Sequence, residues 1–542
     1  MTWRNAAKCW RIIVFFLAPI ICLPIPLVSG TKVAGAAYVL IVSIIYFITI
    51  PIPLWMSMLI CLVLYPLLGV HTAEQVARWS FNDAMLMLIG NLIFGMAIEG
   101  SNLHIRMALK TLLLLGPRPE RLLLAFIAVS FFLSMWIANI GVVVMMLPIA
   151  FAIKKELVAV QGEGGDKHLT AAATDSSTTV IDGTTTGIVL AVVYGATIGG
   201  MATIVGSQPT LMFKLLTDQM YGDRTNINFG SFMVLCTPMA FCATVFTWLF
   251  MTLIYAPGFV NQLWKKKKRI TVSNQQTDSE DRLMESLRGQ YEKLGSPSFG
   301  EGSVIVFFVL LVLLWFFRSP PGFAGWGVLF PKRHVSDATV VMALSLVLFI
   351  WPTDLKMIWR EGKNIPVVQW RPHMTERFPW ELIFYTMGSN VLAAGSVAAG
   401  LTDAIAIMIQ PLDAMPPWAL VIVISLFITT ITEFLGNQLI VVVSLPILGK
   451  LAERSLVNPI YYMLPAASCS VLAFMTPVSS NIMALVHGTG IVSIRQLCRT
   501  GIIPKVVCVF IIVFFMNTVG HSVYGVHTFP DWAANATGSI NL

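Results

Sequence analysis

Long apolar blocks separated by short polar stretches follow one another along almost the whole chain, as in SVIVFFVLLVLLWFF and VVCVFIIVFFMNTVG. Blocks of about 17 to 25 apolar residues predict helices that cross a bilayer. We expect eleven such spans, at residues 11–29, 33–50, 52–69, 82–103, 186–220, 230–256, 302–318, 336–352, 380–410, 457–490 and 502–524. The pattern therefore predicts an all-α polytopic membrane protein.

Two further apolar segments, at about 120–153 and 415–450, do not fit as simple crossings. Each contains an asparagine, Asn139 or Asn437, that stands eight residues before a Leu-Pro-Ile. A re-entrant hairpin, which enters and leaves on one side, keeps the loop charges alternating. On this count the first hairpin enters from the cytoplasm and the second from outside. The two therefore predict an inverted-topology repeat with a binding site at mid-membrane.

Four regions follow from these elements. They are a first half with the first hairpin (1–256), a cytoplasmic polar linker (257–301), a second half with the second hairpin (302–525) and an extracellular C-terminal tail (526–542). The net charge of +8 fits this topology, because 26 of the 35 Lys and Arg fall in the segments placed in the cytoplasm, where positive charge is enriched. A nucleic-acid partner is therefore not needed to explain the charge.

The termini and the glycosylation sequence are assigned from the same topology. With a cytoplasmic N-terminus, the C-terminus lies outside the cell. The acceptor sequence for N-glycosylation at Asn535 then lies where glycosylation occurs, and the plasma membrane is the expected location.

Each hairpin is followed by a span that polar residues interrupt. Irregular backbone at membrane depth is tolerated only where protein buries it or where it lines a wet cavity. Helix ends at such breaks present free N–H groups and a positive dipole end, which suit a carboxylate. The alternative is that the asparagines only cap the broken helices or bridge neighbouring ones. The candidate substrate-binding residues are Asn139, Ile140, Ser207, Gln208, Thr210, Asn437, Gln438, Ser479, Ser480 and Asn481.

Charged residues within the predicted spans are few: Glu99, Lys214, Glu381 and Glu433. Such charges are costly in a bilayer and are usually paired or functional. Glu433 stands four residues before Asn437, and we expect it to orient the second hairpin through a pairing role rather than by touching a ligand.

At AIEGSNLHIRMALK, FFLSMWIANIGVVVMMLPI, TEF (Thr432 to Phe434), QYEKLGS and FPDWA, the sequence resembles the divalent-anion:sodium symporter (DASS, solute carrier 13) family. Within that family it resembles the INDY ("I'm not dead yet") transporters of insects. The resemblance implies a di- or tricarboxylate transporter, in which one half-bundle that carries the hairpins moves against a static scaffold, as a homodimer in the membrane.

The sequence departs from the family pattern where the family binds sodium. Family hairpins usually read Ser-Asn-Thr, whereas this chain has Ala-Asn-Ile and Gly-Asn-Gln. The resemblance places degenerate sodium sites around Ala138, Asn139, Gly206, Gly436 and Asn437. Sodium prefers several oxygen ligands, and two hydroxyls are missing from each turn. We therefore expect weak or absent sodium coupling, no metal site and no cofactor.

Together these features predict a cation-independent, electroneutral exchanger of dicarboxylates or citrate. One alternative is a transporter of a different anion such as sulfate. Another is a non-transporting paralogue that acts as a sensor or scaffold. An enzyme is disfavoured because the sequence shows no nucleophile elbow, no phosphate loop and no histidine cluster with metal-ligand spacing.

Overall fold

The structure is a computed structural model that describes residues 10–163, 171–256, 274–320, 324–331, 334–362, 364–409, 411 and 414–534. Across these ranges the regular elements are helices, and one isolated antiparallel bridge joins Pro352 to Pro366. The predicted all-α class is therefore confirmed. Asn535 lies outside the described residues, and its glycosylation stays a prediction.

Helices make up most of the first half. In chain order they are α1 (Trp10–Cys22), α2 (Pro24–Ser29), α3 (Lys32–Thr49), α4 (Leu54–Leu67), α5 (Ala73–Ser80), α6 (Asp83–Gly100), α7 (Leu103–Leu115), α8 (Pro119–Ser134), α9 (Asn139–Glu163), α10 (Ala171–Gly199), α11 (Gln208–Tyr221) and α12 (Phe229–Tyr255).

The remainder of the chain is organised in the same way. Its helices are α13 (Asn274–Lys293), α14 (Phe299–Arg318), α15 (Asp337–Leu348), α16 (Leu355–Glu361), α17 (Trp380–Ala398), α18 (Leu401–Met408), α19 (Pro417–Leu435), α20 (Asn437–Arg454), α21 (Pro459–Val471), α22 (Asn481–Gly488), α23 (Ile494–Tyr524) and α24 (Asp531–Ala534).

Seven helical segments of the described chain are long and apolar enough to cross a bilayer: Trp10–Ser29, Lys32–Thr49, Ala73–Gly100, Phe229–Tyr255, Phe299–Arg318, Pro417–Leu435 and Ile494–Tyr524. The pair α17 and α18, bent by 70°, raises the number to eight. The predicted number of eleven is not confirmed, because some apolar helices in the expected places are shorter than a full span. These are Leu54–Leu67, Gly183–Gly199 and Asp337–Leu348.

One order of elements occurs twice, once in each half. A helical hairpin (α8–α9 and later α19–α20) is followed by two helices with a break between them (α10–α11 and later α21–α22). Both hairpins begin with a proline in the first helical turn, Pro119 or Pro417, where the fixed φ favours a helix start. This order agrees with the predicted repeat. The opposite insertion of the two hairpins in the membrane stays a prediction.

The first broken span packs tightly against the first hairpin. A Cβ added to Gly199, at the end of α10, would lie only 2.3 Å from the main-chain oxygen of Phe131 in α8. Any larger residue would therefore push these two helices apart. The close contact fixes the break after α10 next to the hairpin turn, where the candidate site residues lie.

The linker helix α13 is docked on the first half. Leu287 is fully buried, and the guanidinium of Arg106 lies 5.7 Å from the centroid of the Tyr291 ring. Arg106 Nε also lies 3.1 Å from Glu301 Oε2, and Arg106 Nη1 donates to the carbonyl of Gly295 at 2.9 Å. The predicted linker therefore contains a packed helix. The next helix, α14, begins at Phe299, and the division into four regions stays a prediction.

Candidate functional site

A cavity of about 450 Å³ lies where the two hairpins and the two broken spans meet. Nine of the ten residues predicted to bind substrate line it: Asn139, Ile140, Ser207, Gln208, Asn437, Gln438, Ser479, Ser480 and Asn481. The tenth, Thr210, does not. Its hydroxyl is fully buried and lies 2.8 Å from the hydroxyl of Ser207, and it donates to the carbonyl of Ile204 at 3.1 Å.

Four helices begin at this cavity. The first residues of α9, α11, α20 and α22, which are Asn139, Gln208, Asn437 and Asn481, all line it. The first N–H groups of a helix have no partner within the helix, and its N-terminus carries a partial positive charge of about half an elementary charge. The cavity is therefore bordered by positive dipole ends and side-chain amides, a combination that suits an anion.

In the first half, hydroxyl groups hold the turn between α8 and α9. The Ser134 hydroxyl lies 2.7 Å from Asn139 Oδ1 and 2.6 Å from the carbonyl of Ala196. Met135 is the first residue of the turn, and its carbonyl accepts a hydrogen bond from the Thr203 hydroxyl. Part of the hydrogen-bonding capacity of Asn139 is thus used within the protein. The alternative role of capping or bridging describes part of what this side chain does.

In the second half, the turn is a single glycine. Gly436 has φ 74°, a conformation that residues with a Cβ rarely adopt, and a Cβ there would lie 2.8 Å from the ring of Phe47. The next residue, Asn437, donates its main-chain N–H to the carbonyl of Ser479 at 3.2 Å. Hairpin and broken span are thereby joined at the edge of the cavity, next to Ser480, whose hydroxyl caps α22.

Further lining of the cavity comes from α3, α4, α6 and α17. Trp55, Asn91, Glu381 and Tyr385 are among the residues that these elements contribute, in addition to Phe47. Only Glu381 was singled out from the sequence, as a charge within a span. The other residues lie in regular apolar helices, and no local pattern distinguishes them from residues that face lipid.

A much smaller cavity lies beside the main one, between α11, α17 and α20. Gln208 and Gln438 line both cavities, and Asn390 lines the smaller one. The side-chain amide of Asn390 is fully buried, and neither its oxygen nor its nitrogen has a hydrogen-bond partner among the described residues. Gln208 Oε1 is also without one, while its Nε2 lies 3.5 Å from the Thr386 hydroxyl. Buried polar groups without hydrogen-bond partners are costly. The contact between α11 and α17 is therefore less completely hydrogen-bonded than the hairpin turns.

Three of the four charges predicted within spans have identifiable partners. Lys214 Nζ lies 2.6 Å from Asp218 Oδ1, and Glu99 Oε1 lies 3.9 Å from Arg377 Nη1. Glu433 forms an ion pair with Lys505, so its expected pairing has a definite partner. The sequence does not single out Lys505, because it stands at the edge of the predicted span 502–524, where a lysine is expected near the membrane surface.

The hairpin turns offer a co-transported sodium ion few side-chain oxygens. Ala138, Gly206 and Gly436 line the cavity but have none, and Ile140 also contributes only main-chain atoms. Unwound backbone carbonyls can bind sodium in transporters, and hard cations require several oxygen ligands. Gln438 adds one amide oxygen at the second turn. These positions therefore offer sodium fewer side-chain oxygens than hydroxyl-bearing turns would.

Comparison with known proteins identifies the family. The profile described as "Sodium:sulfate symporter transmembrane region" matches residues 6–526. The chain belongs to this family. It is therefore a multi-pass membrane transporter and not an enzyme.

The family assignment extends over the full length of several relatives. Na(+)/dicarboxylate cotransporter 3 of Mus musculus is 30% identical over 98% of this chain and 96% of its own length. Solute carrier family 13 member 2 of Homo sapiens is 30% identical over 98% and 97%. The Na(+)/citrate cotransporter of Rattus norvegicus is 30% identical over 96% of each chain. The predicted resemblance to the solute carrier 13 family is confirmed. The closer resemblance to insect INDY transporters stays a prediction.

Proposed function

We propose that this symporter-family protein is a secondary active transporter of dicarboxylates or citrate that works by cation-independent, electroneutral exchange across the plasma membrane. One observation carries the substrate class: four helix N-termini, each with an amide side chain in its first residue, surround one cavity of about 450 Å³. Two come from each half. A molecule with two carboxylates therefore has a positive helix end for each of them, and the volume lies within the range of about 300–1,000 Å³ usual for small-molecule sites.

The relatives support the same substrate class, since one is named for dicarboxylates and another for citrate. Their names also include sodium, which is the point on which this proposal differs from them. The difference rests on the turns, where Ala138 and Ile140 flank the first asparagine and Gly436 and Gln438 flank the second. Without hydroxyls at these positions, the turns offer sodium fewer oxygen ligands.

Uptake of radiolabelled succinate and citrate into expressing cells tests both parts, with sodium or choline as the external cation. We expect equal uptake in the two media, stimulation by unlabelled substrate loaded inside the cells, and no membrane current. Absence of uptake of both acids would contradict the substrate class. Strong dependence on external sodium would contradict cation independence.

A gain-of-function variant makes the coupling test sharper. The triple change Ala138→Ser, Ile140→Thr and Gln438→Thr adds hydroxyls at the two turns. We expect this variant to become sodium-stimulated, because the first turn gains two hydroxyl oxygens and the second turn exchanges an amide for the hydroxyl of the family pattern. If the variant retains uptake and sodium does not change it, these positions do not control coupling.

A second substrate class is favoured by the family description, which names sulfate. The helix N-termini and amides around the cavity would also bind an inorganic dianion. Competition separates the two: excess unlabelled sulfate should leave succinate uptake unchanged if dicarboxylates are the substrates. A non-transporting sensor or scaffold would show uptake of neither anion. We also expect the protein to be a homodimer, which its mass in detergent or nanodiscs would test.

A further inference from the structure

A buried ion pair joins the second hairpin to α23, close to the cavity. Glu433 lies on α19, four residues before Asn437, and Lys505 lies on α23. Each side chain is only 5% exposed, and the ammonium of Lys505 contacts Glu433 Oε1 directly. Burying two charges within a membrane protein is costly even when they are paired, so such a pair calls for a function.

The carboxylate of Glu433 also binds the backbone of the second broken span. It accepts hydrogen bonds from the main-chain N–H groups of Phe474 at 3.0 Å, Met475 at 3.2 Å and Thr476 at 2.9 Å. The Thr476 hydroxyl donates to the main-chain oxygen of Glu433. One carboxylate thus holds the start of the segment between α21 and α22 in place.

That segment continues directly into the cavity wall. Ser479 Oγ donates to the carbonyl of Thr476 at 2.6 Å, and the carbonyl of Ser479 accepts from the Asn437 main chain at 3.2 Å. Ser480 then caps α22, whose first residue is Asn481. The positions of these cavity residues are therefore linked to Glu433 through two or three hydrogen bonds.

The corresponding position of the first hairpin carries no charge. The residue four positions before Asn139 is Met135, whose carbonyl accepts from the Thr203 hydroxyl. A neutral contact is sufficient there. In the second half, a carboxylate does the holding, and it requires a cation to balance it within the membrane.

We propose that Lys505 supplies, as part of the chain, the positive charge that a co-transported cation would otherwise bring to the second half of the site. Lys505 balances Glu433, and the balanced carboxylate holds the segment 472–480 against the hairpin, so the site forms without an external cation. Lys505 is a positioning residue, since it does not line the cavity. This inference rests on the proposed cation independence and names Lys505 as the residue that makes it possible.

Lys505→Met tests this role, because it keeps the length of the side chain and removes its charge. Uptake of succinate by cells or proteoliposomes is compared in sodium and in choline, normalised to the protein at the surface. We expect uptake in choline to fall at least about tenfold, since an unbalanced buried carboxylate costs several kcal/mol and each 1.4 kcal/mol is a factor of ten. Sodium should restore a measurable part, because the freed carboxylate is an oxygen ligand.

Three further variants separate this role from general stability. Glu433→Gln/Lys505→Met has no buried charge left to balance, so its uptake should be the same in both media. Glu433→Gln alone should lose uptake without any response to sodium. Lys450→Met is the matched control, because Lys450 forms another buried ion pair, with Glu453 at 3.0 Å, and neither residue lines the cavity. It should lower thermal stability but give no difference between sodium and choline.

The outcomes can be distinguished. A wild type that needs sodium would overturn the proposed cation independence. If the wild type does not need sodium, and the Lys505→Met protein reaches the surface but shows equal uptake in the two media, only the role of Lys505 is overturned. If Lys505→Met does not reach the surface, Lys505→Gln replaces it. The melting temperature of that purified variant should rise with sodium while that of the wild type does not, and an unchanged temperature would reject the proposal.

Discussion

The two hairpin turns use the same residue differently. At the first turn, Asn139 Oδ1 accepts a hydrogen bond from Ser134 at 2.7 Å, and a Cβ on Gly200 would lie 2.3 Å from the same oxygen. At the second, the side chain of Asn437 makes no hydrogen bond to the described part of the chain, although its main chain is bound to Ser479. The first asparagine is therefore partly structural, whereas the whole amide of the second is available to a ligand.

The turns also differ in what closes them. Hydroxyl groups and tight helix contacts close the first, and a buried ion pair with three main-chain donors closes the second. A neutral, close-packed turn has one stable arrangement and resists change. The second turn depends on the ion pair between Glu433 and Lys505. We therefore expect that cation coupling can be altered with the fewest substitutions in the second half.

The largest effect is expected at the second asparagine. Asn437→Asp keeps the shape but replaces two N–H donors with a negative charge among helix N-termini that should hold an anion. Like charges placed together cost several kcal/mol, so uptake should fall by about 100-fold. Radiolabelled succinate uptake measures this, with Asn364→Asp on an exposed loop as the control. Retained uptake at a normal surface level would contradict the assignment of Asn437 to the ligand.

A smaller loss is expected when the first asparagine is displaced and not replaced. Gly200→Ala places a methyl group within 3 Å of all three distal atoms of the Asn139 side chain, which must move away from Ser134. Losing one hydrogen bond and the ligand contact should raise the apparent KM by about tenfold.

Gly302→Ala is the control for that change, since a Cβ at Gly302 in α14 would meet nothing within 4 Å. It should leave KM unchanged. If Gly200→Ala reduced the amount of folded protein without changing KM, Asn139 would be structural only, and the two turns would differ more than we infer.

The turns and breaks could be predicted from the sequence because polar residues within apolar runs are a strong local signal. The breaks next to Asn139 and Asn437 do separate helices, and the predicted residues of both broken spans line one cavity, except Thr210. Thr210 lies outside the lining, and the sequence alone does not show in which direction its side chain points. It stands three residues after the capping residue Ser207, and its hydroxyl turns back towards that cap.

The other elements of the site depend on contacts between distant parts of the chain. Lys505 and Glu433 are 72 positions apart, and a lysine at the edge of a predicted span is normally taken to lie at the membrane surface. The structure begins α23 at Ile494 and so places Lys505 about three turns inside the helix. The wall that α4 and α17 contribute, with Trp55 and Tyr385, likewise has no local signal.

Removing one of the uncharged hydrogen bonds that hold the first turn should have a modest effect. Thr203→Val removes the donor to the Met135 carbonyl and leaves that buried oxygen unpaired, which should lower the free energy of unfolding by about 1–3 kcal/mol. Uptake per folded molecule should change less than in Gly200→Ala, because Asn139 keeps its bond to Ser134. Thermal inactivation measures the first effect, and Thr430→Val, on an exposed position of α19, is the control. A new sodium response in Thr203→Val would mean that charge-free contacts also set coupling.

The smallest effect is expected at Thr210, where the two halves can be compared position by position. The caps Ser207 and Ser480 begin α11 and α22, and the residue three places later is Thr210 in the first half but Met483 in the second. The second half therefore forms its helix start without a hydroxyl at this position. Thr210→Val should leave KM for succinate within about twofold of the wild type while lowering stability by about 1 kcal/mol. A KM that rose as much as in Gly200→Ala would place Thr210 at the ligand after all, and would mean that its bond to Ser207 is broken when substrate binds.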